Sequence, residues 1–149
     1  MSAPIKLRIS RAHLAAIAAH LLDALPHEAC GLLIGRQNGT TIDVDEVVRS
    51  ANLSAAADAF EIDPALLLRY QRELRGHARR IVGLYHSHPE GEPKPSARDI
   101  AGATYPGFVW LISARGPGGA IAHRAHLHPP EAGVPPHAFD PVAIEEVGP

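Results

Sequence analysis

The chemistry of this chain concentrates in one stretch, His86-Ser87-His88-Pro89-Glu90-Gly91-Glu92-Pro93-Lys94-Pro95-Ser96-Ala97-Arg98-Asp99. In an extended backbone, residues i and i+2 project from the same face, so His86 and His88 can converge on one ion. Seven residues separate His88 from Ser96, enough to turn the chain back, and the prolines among them limit the entropy lost in fixing the loop. Asp99 then falls in the first turn of a helix begun by Ser96 and can complete a ligand set. Two imidazoles and a carboxylate suit Zn2+, and three protein ligands leave a fourth position for water, which separates a catalytic zinc site from a closed structural one. Zinc lowers the pKa of bound water toward ~7. Hydrolysis then needs a nearby carboxylate that does not ligate the ion, to take the proton and pass it to the leaving amine. Glu28, just ahead of the apolar run from Cys30 to Ile34, is the candidate, and Ser96 can hydrogen-bond the oxyanion of a tetrahedral intermediate.

Each fragment also has a plainer explanation. Ser96-x-x-Asp99 matches a helix capping box, which accounts for both residues without a metal and is compatible with ligation. His126-Leu127-His128 repeats the His-x-His spacing before a proline but lacks a downstream Ser-x-x-Asp, although Glu131 is close. It is either a pair of polar strand-end histidines or a second metal site. Glu28 alone fits a solvated residue beside a strand. Cys30 fits a small buried hydrophobe; as a catalytic thiol paired with His27 it lacks the electropositive setting a thiolate needs. His13, His20, His77, His123 and His137 have no partner pattern and read as surface or locally bonded.

The elements that must position these residues are legible in outline. Lys6 to Ile9 suits a short edge strand. Ser10 suits the N-cap of an apolar helix carrying Leu14, Ile17, Ala18, Leu21 and Leu22, which Pro26 brings to an end. Ala29 to Gly35 is a continuous apolar run, as expected of a strand buried on both faces. Gly39 marks a turn and Thr41 to Val48 a second strand. After an alanine-rich loop, Phe60 to Asp63 alternates like a short strand, and Asp63-Pro64 opens a helix predicted from Ala65 to about His77. Ile81 to Tyr85 is a third apolar strand leading into His86. A short helix from Ser96, strands at Phe108 to Ile112 and Ala120 to Leu127, and a Gly116–Gly119 turn complete the pattern. Strands and helices without strict alternation indicate an α+β, mixed-sheet domain over residues 1–128, with 129–149 as a Pro-rich C-terminal tail.

The chain has 149 residues, 46% hydrophobic and 20% charged, with a formal net charge of −2. That suits one globular domain and carries no basic footprint for nucleic acid. The arginines at 69, 72, 75, 79 and 80 read as a solvated helical face, or else as a dock for an acidic partner. A single cysteine excludes an internal disulfide. No signal segment and no apolar run of ~18 residues is visible, so no membrane span and a cytoplasmic setting are expected.

The spacing His-x-His, seven residues, Ser, two residues, Asp resembles the JAMM (MPN-plus) metalloproteases. Pro26 to Gly35 resembles their glutamate-bearing strand, and Phe60 to Pro64 a segment common in bacterial members. The similarity spans roughly residues 5 to 128. It implies His86, His88 and Asp99 as zinc ligands, Glu28 as general acid/base and Ser96 as oxyanion stabiliser. It also implies a curved mixed sheet flanked by helices, similar to that of cytidine deaminases. The family cleaves peptide or isopeptide bonds at the tail of ubiquitin or ubiquitin-like proteins. Only a short link joins Asp99 to the Phe108 strand, leaving no room for long ubiquitin-clasping insertions. The resemblance is therefore to the compact bacterial branch, with a ubiquitin-like sulfur carrier protein as expected substrate. Two other readings remain: a non-catalytic scaffold or binding module on the same fold, and hydrolysis of a different amide or a deaminase-like reaction, for which last the Pro-Cys-x-x-Cys signature is missing.

Overall fold

The computed structural model describes residues 3–130 and 135–149. Seven strands, β1 (Lys6–Ser10), β2 (Cys30–Asn38), β3 (Thr41–Ser50), β4 (Arg80–His88), β5 (Val109–Arg115), β6 (Ile121–Leu127) and β7 (Asp140–Val147), join in the order β1-β3-β2-β4-β5-β6-β7. β1 pairs with β7 and closes the sheet into a barrel. Pairing is mixed: β1 runs parallel to β3 and β7, and β4 parallel to β5, while the remaining pairs are antiparallel. The helices are α1 (Arg11–Ala24), α2 (Pro64–Glu73) and α3 (Ala97–Ala101).

β2 and β4 are buried on both faces, so alternate side chains feed two cores. Leu33, Val82 and Tyr85 pack with Leu14 and Ile17 of α1 and with Leu7, Leu111 and Val142. Leu32, Ile34, Leu84 and Trp110 pack on the other side, against Leu66, Leu67 and Tyr70 of α2. Glycines permit close strand contact. A Cβ on Gly83 would lie 2.0 Å from the Val109 carbonyl oxygen, so only Gly allows β4 to meet β5 there.

Several expectations are corrected. The Lys6 strand is not an edge, because β1 has partners on both sides. Phe60 to Asp63 forms only an isolated bridge between Ile62 and Asn52. α2 stops at Glu73 rather than His77, and the following turn reaches Gly76 at φ 80, a backbone suited to glycine. The largest difference lies in the segment read as a tail after residue 128, because Asp140 to Val147 forms β7. Val142 is buried there, and the strand fills the gap between β6 and β1. Part of the former tail, including Glu131, lies outside the described residues.

Candidate metal centre

His86 and His88 end β4 and, alternating with Ser87, share one face of the strand. The Phe60 ring stacks on His86 at 4.2 Å between centroids and the Trp110 ring meets its edge at 5.5 Å, so this imidazole is fixed by aromatic packing on both sides. Beyond His88 the proline-bearing loop returns to Ser96, the N-cap of α3. Asp99 N–H donates to Ser96 Oγ at 3.0 Å and Ser96 N–H donates to Asp99 Oδ2 at 2.9 Å, a complete capping box. Ser96 Oγ acts there as an acceptor, leaving its own O–H free to donate into the cleft.

The structure brings His86, His88 and Asp99 together. His86 Nε2 and His88 Nε2 each lie 3.0 Å from Asp99 Oδ2 and 3.2 Å from one another. His88 Nδ1–H donates to the Glu92 carbonyl at 2.8 Å, so a neutral His88 presents a lone pair at Nε2. Three acceptors facing one point repel unless positive charge sits among them, whether a proton or a cation. The spacing also fits a tetrahedral ion, since ligand bonds of about 2.0 Å give an edge of about 3.3 Å. The donor set and its geometry therefore suit a metal ion, and this is the one such cluster among the described residues.

Electrostatics follow the same arrangement. Burial pushes the fully enclosed His86 downward, keeping it neutral and open to ligation. Burial also acts downward on His88, but hydrogen bonds to Asp99 and to the Glu92 carbonyl outweigh it and raise the group. Asp99 is pushed up by burial, yet in the metal-free protein, where protons on the imidazoles stand in for a cation, hydrogen bonds from His86 and His88 hold it well below the usual carboxylate range. Glu28 is 5% exposed and its Oε1 has no hydrogen-bond partner among the described residues. Burial, then the Asp99 charge, raises its pKa from 4.5 to about 7.

Glu28 comes from the entry to β2, locked to β4 by Ala29 N–H donating to Ser87 Oγ at 2.8 Å and Ser87 N–H donating to the Ala29 carbonyl at 3.0 Å. It shares a cleft of about 620 Å³ with His88, Ser96 and Arg115. Chemically, the arrangement can hold a cation, move one proton beside it and donate one hydrogen bond.

Other expectations separate from this site. His126 Nε2–H donates to the Pro93 carbonyl at 3.0 Å and so pins the loop next to Glu92, while His128 is buried against Phe139. His126 and His128 form no metal cluster among the described residues. Cys30 is buried and burial pushes its thiol up to about 12, which removes the thiol-enzyme alternative. The arginine face is partly neutralised within the chain, Arg69 by Glu73 and Arg79 by Asp45 and Glu46. Two supporting contacts have no sequence signal: Ser87 within the His-x-His motif, which ties β2 to β4, and the hold of His126, a strand-end histidine, on the loop, since no spacing rule reports a loop contact.

The sequence matches the family described as prokaryotic homologues of the JAB domain over residues 10–127. It is 38% identical over 88 residues to a desampylase of Haloferax volcanii, covering 58% of this chain and 62% of the relative. It is 34% identical over 100 residues to a probable TtuB-protein conjugate cleaving protease of Thermus thermophilus, covering 66% and 64%. The chain thus spans under two thirds of either relative's length. A solution structure of a Desulfitobacterium hafniense protein superposes with a TM-score of 0.82 at 27% identity, covering 96% of this chain and 94% of that one. Among the described residues, no helix is long and apolar enough to cross a membrane.

Proposed function

The chain belongs to the family of prokaryotic homologues of the JAB domain, and on that premise we propose that it is a zinc-dependent hydrolase of peptide or isopeptide bonds at the tail of a ubiquitin-like protein. The observation that carries this is the convergence of His86 Nε2, His88 Nε2 and Asp99 Oδ2 in the site that Glu28 shares, the Glu28 Oε1 having no hydrogen-bond partner among the described residues.

In the proposed mechanism His86, His88 and Asp99 would hold the ion. When bound, zinc supplies Lewis acidity, acidifying water toward ~7 and polarising a carbonyl. Glu28 accepts the proton of the attacking water at its carboxylate and returns it to the leaving amine. Burial raises Glu28 to about 7 in the metal-free protein, and a cation bound beside it would draw the value down toward the ionised form that accepts a proton. Ser96 Oγ, already accepting from Asp99 N–H, turns its O–H to the oxyanion. Phe60 and Trp110 exclude water from the buried side of His86.

The names of the Haloferax and Thermus relatives support conjugates of ubiquitin-like proteins as substrates. The direct passage from α3 at Ala101 to β5 at Val109 leaves no room for long ubiquitin-clasping insertions, and the resemblance to the compact branch of the family points to a sulfur carrier as the substrate. The test is to incubate zinc-loaded protein with ubiquitin-like carriers ending in Gly-Gly plus further residues, and with Gly-Gly isopeptide conjugates. Cleavage abolished by Glu28→Ala with zinc retained is expected; zinc-loaded protein that cleaves none of these substrates refutes the proposal.

A further inference from the structure

Arg115 is the charged group of the cleft that this mechanism does not use. It ends β5, one residue past Ala114, the register partner of His88. Its Nε–H donates to the Pro89 carbonyl at 3.4 Å, and it has no acidic partner among the described residues. The other arginine of the cleft, Arg98, is by contrast paired with Asp58 at 2.9 Å. Arg115 also lines an adjoining hollow of about 510 Å³ with Gly91 and the Gly116–Gly119 turn, and this hollow shares Pro89 and Arg115 with the cleft that holds His88. Glu90 lines both the cleft and this hollow, and among the described residues it forms no ion pair with Arg115.

A half-buried arginine whose terminal N–H groups make no hydrogen bond among the described residues matches a carboxylate, which it can bind through two parallel hydrogen bonds. We infer that Arg115 forms a carboxylate subsite on the leaving-group side of the scissile bond. The inference rests on the hydrolase proposal above. A Gly-Gly tail carries no charged side chain, so an anion near the bond belongs to whatever follows it. In a linear chain with one or two residues beyond the bond, that anion is the terminal α-carboxylate. In a longer chain it is an acidic side chain. The lysine arm of an isopeptide conjugate brings neither to that position.

Three synthetic octapeptides separate these sources: one ending Gly-Gly-Ala as the free acid, the same peptide as its C-terminal amide, and one ending Gly-Gly-Glu as the amide. The zinc-loaded protein should show a kcat/KM about tenfold or more higher for the acid, the Glu amide or both than for the Ala amide, the size expected of one charge-assisted contact. Preference for the acid alone assigns the site to chain termini, and preference for the Glu amide assigns it to side chains. Arg115→Gln should bring the ratios toward unity. Equal rates on all three peptides, or ratios that survive Arg115→Gln, overturn the subsite while leaving the hydrolase intact. Failure to cleave these peptides and an isopeptide conjugate alike counts against the hydrolase itself. Fluorescence anisotropy of the same peptides on Glu28→Gln protein then decides the subsite, and equal affinity for all three overturns it.

Discussion

Replacing Glu28 by Gln should make the metal-free protein more stable at alkaline pH while removing its activity. The carboxyl is 5% exposed, its Oε1 is unpartnered, and burial beside Asp99 raises its pKa from 4.5 to about 7. Because the folded value lies above the ordinary one, the unfolded chain gives up this proton more readily. Stability that is intact below pH 4.5 is therefore lost as the pH rises through about 7. At about 1.4 kcal/mol for each pH unit between those values, the loss reaches about 3 kcal/mol by about pH 8, against under about 1 kcal/mol at about pH 5. Gln keeps the shape and cannot ionise, so it recovers most of that difference. For a chain of this size each kcal/mol moves the melting temperature by about 2–4 °C, giving a rise of about 6–12 °C at alkaline pH. The assay is thermal melting of chelator-treated wild type and Glu28→Gln at several pH values, beside hydrolysis by the zinc-loaded proteins. Activity should fall by about 10²–10⁴-fold. A stability difference that does not grow with pH, or a variant less stable at about pH 8, would refute this account of the glutamate's surroundings.

Asp99→Asn removes the negative oxygen on which both imidazoles converge, and metal affinity should fall by more than the about 10–100-fold lost with outer partners of metal ligands, as read by chelator competition. Unchanged affinity would show that Asp99 is only a cap. His126→Ala frees the Pro93 carbonyl and loosens the loop that orients His88, so metal affinity should drop by about tenfold, while His126→Gln, which can still donate, should restore it. Equal affinities for the two variants would deny the loop its part. Gly83→Ala drives a methyl into the Val109 carbonyl where β4 meets β5, and should lower the urea unfolding free energy by about 3 kcal/mol; a midpoint like wild type would contradict the close approach.

The site was readable from sequence wherever its geometry is local. Alternation along a strand puts His86 and His88 on one face, and the capping spacing puts Asp99 against Ser96. Glu28 is different, because what brings it to the cluster is the pairing of β2 with β4 and the Ala29–Ser87 hydrogen bonds, none of which has a sequence signature. Its assignment depended on family resemblance. β7 was missed since, among the residues of Asp140 to Val147, only Val142 is fully buried, which leaves too weak an alternation beside the prolines. The end of α2 was overrun because helical periodicity continues to His77 whereas the backbone turns at Gly76.

Closure of the barrel has a bearing on folding order. Leu7 finds its neighbour Ile144 near the opposite end of the chain, whereas Glu28, the histidines and Asp99 all lie on segments made long before β7 leaves the ribosome. Contacts so distant in sequence form late, after the loop entropy between them has been overcome. The first strand must therefore wait, half-paired with β3, for the last, while the cation-binding half of the molecule can already be in place.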